Sequence, residues 1–162
     1  MQRIKLKILA AQAKKSEGNT FFKNKTYDEA IAKYSEAIGM DSSDVTFYSN
    51  RSACYAALEK WEEAAADGRQ CIMTDKSFVK GYFRAALGLQ KLGNLEAALD
   101  AVKRGLGIDS QNAGKSVVPV VTSVTVVLYR ACVVSSQLFI EFFFYMNYIL
   151  NSPSSSPPSF FS

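Results

Sequence analysis

The chain has 162 residues, 48% of them hydrophobic, which is enough for one packed domain of ordinary size with a tail to spare. It contains no histidine, so the commonest general base and the commonest metal ligand are both missing, and most hydrolase and metalloenzyme chemistries fall with them. The net charge of +4 is concentrated at the start, in Arg3, Lys5 and Lys7, whereas residues 11–112 balance 14 basic against 14 acidic side chains and carry no nucleic-acid footprint.

Residues 1–10 are basic and contain Ile4, Leu6, Ile8 and Leu9, but they lack a long apolar run and a small-residue cleavage site. They are therefore read as an extension of the first helix and not as a secretory signal. Cys54, Cys71 and Cys132 are odd in number and far apart, so they assemble neither a CxxC pair nor a four-ligand zinc site. They read as reduced, buried structural residues, which suits a cytoplasmic address. No metal and no cofactor is expected.

From residue 11 the chain repeats itself with a period of 34, in blocks 11–44, 45–78 and 79–112. The twentieth position of each block is alanine (Ala30, Ala64, Ala98) and the eighth is small (Gly18, Ser52, Ala86). Large apolar residues fill the eleventh position (Phe21, Tyr55, Leu89) and the seventeenth (Tyr27, Trp61, Leu95). Apolar spacing near 3.6 lies on either side of a polar break at Lys25-Thr26, Glu59-Lys60 or Gly93-Asn94, so each block reads as helix, turn, helix. The predicted helices are 11–24, 27–40, 45–58, 61–74, 79–92 and 95–108, an all-α pattern with no strand.

Gly18, Tyr27, Ala30, Tyr34 and Ala37 resemble the tetratricopeptide-repeat (TPR) signature. That resemblance implies three helix-turn-helix repeats stacked as a right-handed α-solenoid, with the first helix of each pair lining a concave peptide groove. It implies a protein-binding module and no enzyme. One departure is that Ser42, Lys76 and Ser110 stand where such repeats usually carry proline, from which softer helix ends are expected.

Within a first helix, repeat positions 2, 5, 6 and 9 share one face. On it stand Lys15 and Asn19, then Asn50, then Lys80 and Arg84. Any one of these alone would be taken for a solvated surface residue. Their joint spacing resembles the dicarboxylate clamp of co-chaperone TPR domains, which grips the last residue of a Glu-Glu-Val-Asp tail on cytosolic heat-shock chaperones. The chemistry asks for such residues, because a C-terminal aspartate carries two carboxylates and needs charged donors beside neutral donors that fix its orientation.

The resemblance gives Lys15, Asn19 and Asn50 the terminal carboxylate, and Lys80 and Arg84 the aspartate side chain and nearby backbone. Phe22, Ala53 and Ala57, one turn further along the same face, form an apolar patch suited to the residues upstream, although plain helix packing explains them nearly as well. Residues 47–54 (FYSNRSAC) most resemble the first TPR domain of Hsp-organising co-chaperones, which tilts the expectation toward the seventy-kilodalton chaperone over the ninety. No nucleic acid, membrane or small-molecule substrate is expected as partner. A groove that binds some unrelated internal peptide is the alternative.

After residue 112 the composition changes to Val, Thr, Phe and Ser, and the solvating helix that usually follows a third repeat is not evident. Residues 131–150 are long and apolar enough for a membrane anchor, which would make a tail-anchored receptor, but Glu141 near their middle argues against it. Alternatively Gly114-Lys115-Ser116 is encodable as a splice-donor-like sequence, and 113–162 reads as translated intron or a disordered segment. Residues 117–127 are β-branched and uncharged, an aggregation hazard where exposed.

Overall fold

The computed structural model describes residues 2–111, with side chains described through residue 108. Among the described residues there are six helices and no strand: α1 (Gln2–Lys23), α2 (Tyr27–Met40), α3 (Val45–Ala57), α4 (Trp61–Thr74), α5 (Val79–Lys91) and α6 (Leu95–Gln111). The helix starts at Tyr27, Val45, Trp61, Val79 and Leu95 fall where the repeat places them, and the basic decapeptide continues α1 back to Gln2. The domain boundary expected at residue 112, Cys132 and every reading of 113–162 lie outside the described residues.

Each helix pair turns by the same device. Lys25, Glu59 and Gly93 adopt left-handed backbone with φ of 62°, 58° and 80°. Their N–H groups donate to the carbonyls of Phe22, Ala56 and Gln90, while the next N–H, of Thr26, Lys60 or Asn94, reaches back to Phe21, Tyr55 or Leu89 at 3.0, 2.9 and 2.9 Å. This is the Schellman arrangement, which satisfies the last carbonyls of the first helix and reverses the chain. The eleventh repeat position therefore has two duties, an apolar side chain for the core and a carbonyl for the turn.

The small positions are those where helices meet closely. Ala30, Ala64 and Ala98 are at most 1% exposed. A Cβ on Gly18 would stand 2.7 Å from the ring of Tyr34, so only glycine lets α1 lie on that tyrosine. Ser52 resolves the same slot by donating its hydroxyl to the carbonyl of Ala64 at 2.8 Å. Gly68 packs against the backbone of Ala85, which brings α4 against α5 with no side chain between them.

Where the prolines are missing, aspartate side chains hold the backbone. Asp41 accepts from the N–H and hydroxyl of Ser43 at 3.0 and 2.6 Å, and Asp75 accepts from those of Ser77 at 2.8 and 2.7 Å. These two Asx turns brace the chain between repeats beside Ser42 and Lys76, where proline is lacking.

Among the described residues the first helices pack along one another, α1 on α3 and α3 on α5, while the backbones of α2, α4 and α6 do not approach each other closely. The closer-packed layer is the inside of the curve, which leaves a groove lined by α1, α3 and α5. The core crosses the repeats: Phe47 of α3 closes on Ala11 and Ala37, and Cys54 of α3 joins Ala30 and Tyr34. Burial pushes the thiols of Cys54 and Cys71 up to about 12, so both are neutral structural residues.

Candidate functional site

The residues singled out by spacing stand on α1, α3 and α5, and two of them, an amide pair, are joined between α1 and α3. Asn50 of α3 donates through Nδ2 to the Oδ1 of Asn19 on α1 at 3.1 Å. The same oxygen accepts from the hydroxyl of Tyr34 on α2 at 2.8 Å. With its oxygen doubly occupied, Asn19 has its amino group left for a ligand, a donor where an anion needs one.

Lys15 lies one turn before Asn19 and is half-buried. Its Nζ donates to Thr46 Oγ1 at 3.3 Å, stands 3.5 Å from Asp44 Oδ2, and lies 5.5 Å from the centre of the Phe47 ring. Asp44 is the N-cap of α3, accepting from the backbone N–H and hydroxyl of Thr46 at 2.8 and 2.6 Å and from Gln12 Nε2 at 2.7 Å. Burial works to raise the Asp44 carboxyl, but the Thr46 hydroxyl, the Gln12 amide, the Thr46 N–H and Lys15 outweigh it and hold it below its ordinary value. Lys15 therefore rests against a carboxylate of the domain itself.

On α5, Lys80 is exposed and makes no hydrogen bond or ion pair among the described residues. Arg84 is half-buried and likewise has no acidic partner there. Desolvation by burial lowers its pKa from the ordinary guanidinium value, opposed by the thiols of Cys71 and Cys54. A guanidinium withdrawn from water without a counter-charge is costly, and an incoming anion would relieve that cost.

Of the five residues singled out by spacing, the structure joins Asn19 and Asn50 directly. Lys15 stands beside them but is turned to Asp44, and Lys80 and Arg84 lie on the next first helix with no acidic partner among the described residues. Phe22 is 37% exposed and meets Tyr27 edge-on, with centroids 5.6 Å apart, so part of its ring belongs to the turn of its own repeat. Ala53 is half-buried and Ala57, the last residue of α3, is exposed.

Spacing does not single out Tyr34 and Asp44 for the groove. The one signal for Asp44 is its place just before an apolar helix start, and Tyr34 is visible only as a packing residue. Among the described residues no group of three His, Cys, Asp or Glu side chains is arranged to hold a metal ion, and no helix is long and apolar enough to cross a membrane.

The model of the TPR repeat matches residues 18–58. The chain is 39% identical over 103 residues to the heat shock protein sti1 homolog of Schizosaccharomyces pombe, which covers 64% of this chain but only 17% of that protein's length. Among solved structures it is similar to the second TPR of Spaghetti (RPAP3) bound to HSP90 peptide SRMEEVD, at 30% identity and TM-score 0.64, covering 67% of this chain and 99% of that one. It is also similar to the TPR2B domain of yeast Sti1 in complex with an Hsp70 peptide, at 29% identity and TM-score 0.65, covering 69% of this chain and 90% of that one. With three 34-residue helical hairpins stacked on Schellman turns and a relative of this likeness matched along nearly its whole length, the chain belongs to the tetratricopeptide-repeat family of protein-interaction modules.

Proposed function

We propose that the domain is a co-chaperone-like adaptor that holds the free C-terminal Glu-Glu-Val-Asp tail of a cytosolic heat-shock chaperone in the groove of α1, α3 and α5. Lys15, Asn19 and Asn50 take the terminal carboxylate, and Lys80 and Arg84 take the aspartate side chain and the neighbouring backbone. Phe22, Ala53 and Ala57 receive the apolar side chains upstream. The observation that carries the reading is Arg84, a half-buried guanidinium with no acidic partner among the described residues, on the face that also presents the amide pair. A dicarboxylate ligand supplies the counter-charge and two acceptor sets at once.

Several charge-assisted hydrogen bonds set against the ordering of a flexible peptide lead to affinity of about 1–10 μM. The reading requires a chain end. A peptide ending in Glu-Glu-Val-Asp and the same peptide extended by one alanine should differ at least tenfold by fluorescence polarisation, and equal binding would show that the groove takes internal segments instead. The stretch 47–54 favours the seventy-kilodalton chaperone, and competition between the tail peptides of the two chaperones tests that preference directly.

A further inference from the structure

We infer that Tyr34, which is no member of the clamp, is a positioning residue for it: its hydroxyl turns the Asn19 amide so that the amino group, and not the oxygen, faces the ligand. The inference rests on the clamp reading and adds a determinant from the second helix of the repeat, behind the groove wall.

The ring of Tyr34 is 1% exposed and lies beneath α1 at Gly18, where an added Cβ would be 2.7 Å from it. This close approach lets a side chain rooted on α2 carry its hydroxyl to Asn19 Oδ1 at 2.8 Å. Desolvation by burial pushes the phenol up to about 12, so it remains a protonated donor across the physiological range. A buried hydroxyl proton needs an acceptor, and the Asn19 oxygen is the one it meets.

An amide held by its oxygen can offer only N–H groups on its other side. Were Asn19 turned over, its oxygen would face the carboxylate of the peptide, exchanging a hydrogen bond for a repulsion between acceptors. The effect extends one residue further, because Asn50 donates to the same Asn19 oxygen at 3.1 Å. One hydroxyl thus sets the direction of two amides contributed by two repeats.

The device is confined to the first repeat. At the equivalent position the second and third repeats carry Gly68 and Val102, which have no hydroxyl to offer. Asn50 has no such donor from its own repeat; its amide meets the Asn19 oxygen and lies within hydrogen-bonding reach of the Tyr34 hydroxyl as well.

Tyr34→Phe keeps the ring and removes only the donor. Its affinity for a free-acid peptide ending in Glu-Glu-Val-Asp should fall about three- to tenfold, the usual consequence of losing one hydrogen bond from a network. The weak binding of the amidated peptide should not change. In an Asn19→Ala background the Tyr34→Phe substitution should have no further effect on affinity, measured by NMR titration so that weak complexes remain visible. Wild-type affinity in Tyr34→Phe overturns the inference. So does an equal loss in the Asn19→Ala background, because the hydroxyl would then act through packing and not through the amide. A wild-type domain that fails to distinguish free-acid from amidated peptide defeats the clamp reading instead. In that case the Asn19 side-chain amide signals of the unliganded protein still test the positioning, since they should shift in Tyr34→Phe and their staying in place contradicts it.

Discussion

Arg51 of α3 grips both carboxylate oxygens of Asp67 on α4, each at 2.8 Å, in a planar fork. Its remaining amino group donates to Ser35 Oγ of α2, also at 2.8 Å, so three consecutive helices are fastened at one guanidinium. Asp67 is 6% exposed, and its removal strands a charge that is itself mostly withdrawn from water. Asp67→Ala should therefore cost about 3 kcal/mol of stability by urea denaturation. A loss under about 0.5 kcal/mol would show the pair to be no more than a surface contact.

Glu59 occupies a left-handed position, φ 58°, that the third repeat gives to Gly93. A side chain in that region costs about 1 kcal/mol relative to glycine, and the backbone bonds that reverse the chain are the same in both turns, those of Glu59 and Lys60 matching those of Gly93 and Asn94. Glu59→Gly should raise stability by ~0.5–1 kcal/mol. Destabilisation of that size would mean that the Glu59 side chain contributes more than its backbone strain costs.

The Asp44 carboxylate favours the folded state because its pKa there is depressed from the ordinary 3.8. Its contribution is complete above the unfolded value and is lost as pH falls through the lower folded value. Glu17 and Glu36, each hydrogen-bonded to Lys33 and Lys14, shift in the same direction and add to the acid limb. Comparing wild type with Asp44→Asn by urea melts between about pH 2 and 7, the stability gap should be open at neutral pH and close below about pH 4. A gap that stays constant with pH would remove the carboxylate from the account.

Arg84 has the opposite relation to stability. Burial with no acidic partner among the described residues makes it a burden on the unliganded domain, so Arg84→Met should melt higher than wild type while binding peptide less tightly. About 1 kcal/mol moves the melting temperature of a domain this size by ~4–8 °C, well within scanning calorimetry. A lower melting temperature would mean that the guanidinium is satisfied in the free protein.

Much of this architecture is legible in the sequence. The 34-residue period places five of the helix starts, and the alanines and small residues at fixed positions mark where helices touch, because close packing restricts residue size more strictly than residue type. The left-handed turns are visible as polar breaks, although only Gly93 advertises its backbone. The Asx turns at Asp41 and Asp75 are harder to read, because an Asp-x-Ser triplet suits a solvated loop as well as a turn. The five groove residues stand out by spacing, but their partners do not. Asn50 and Asn19 are 31 residues apart, so their bond exists only once two repeats have stacked, and Tyr34 and Asn19 are 15 apart, so theirs exists only once α1 and α2 have paired.

Recognition of a chain-end carboxylate by Arg84 and its neighbours can be measured by calorimetric titration of free-acid and C-terminally amidated Glu-Glu-Val-Asp peptides into wild type and Arg84→Ala. The free acid should bind wild type at about micromolar strength, and amidation should nearly abolish binding. Arg84→Ala should cost ~1.5–3 kcal/mol, about ten- to a hundredfold in affinity, with the wild-type affinity itself declining as salt rises. Equal affinities across all four combinations would contradict the clamp.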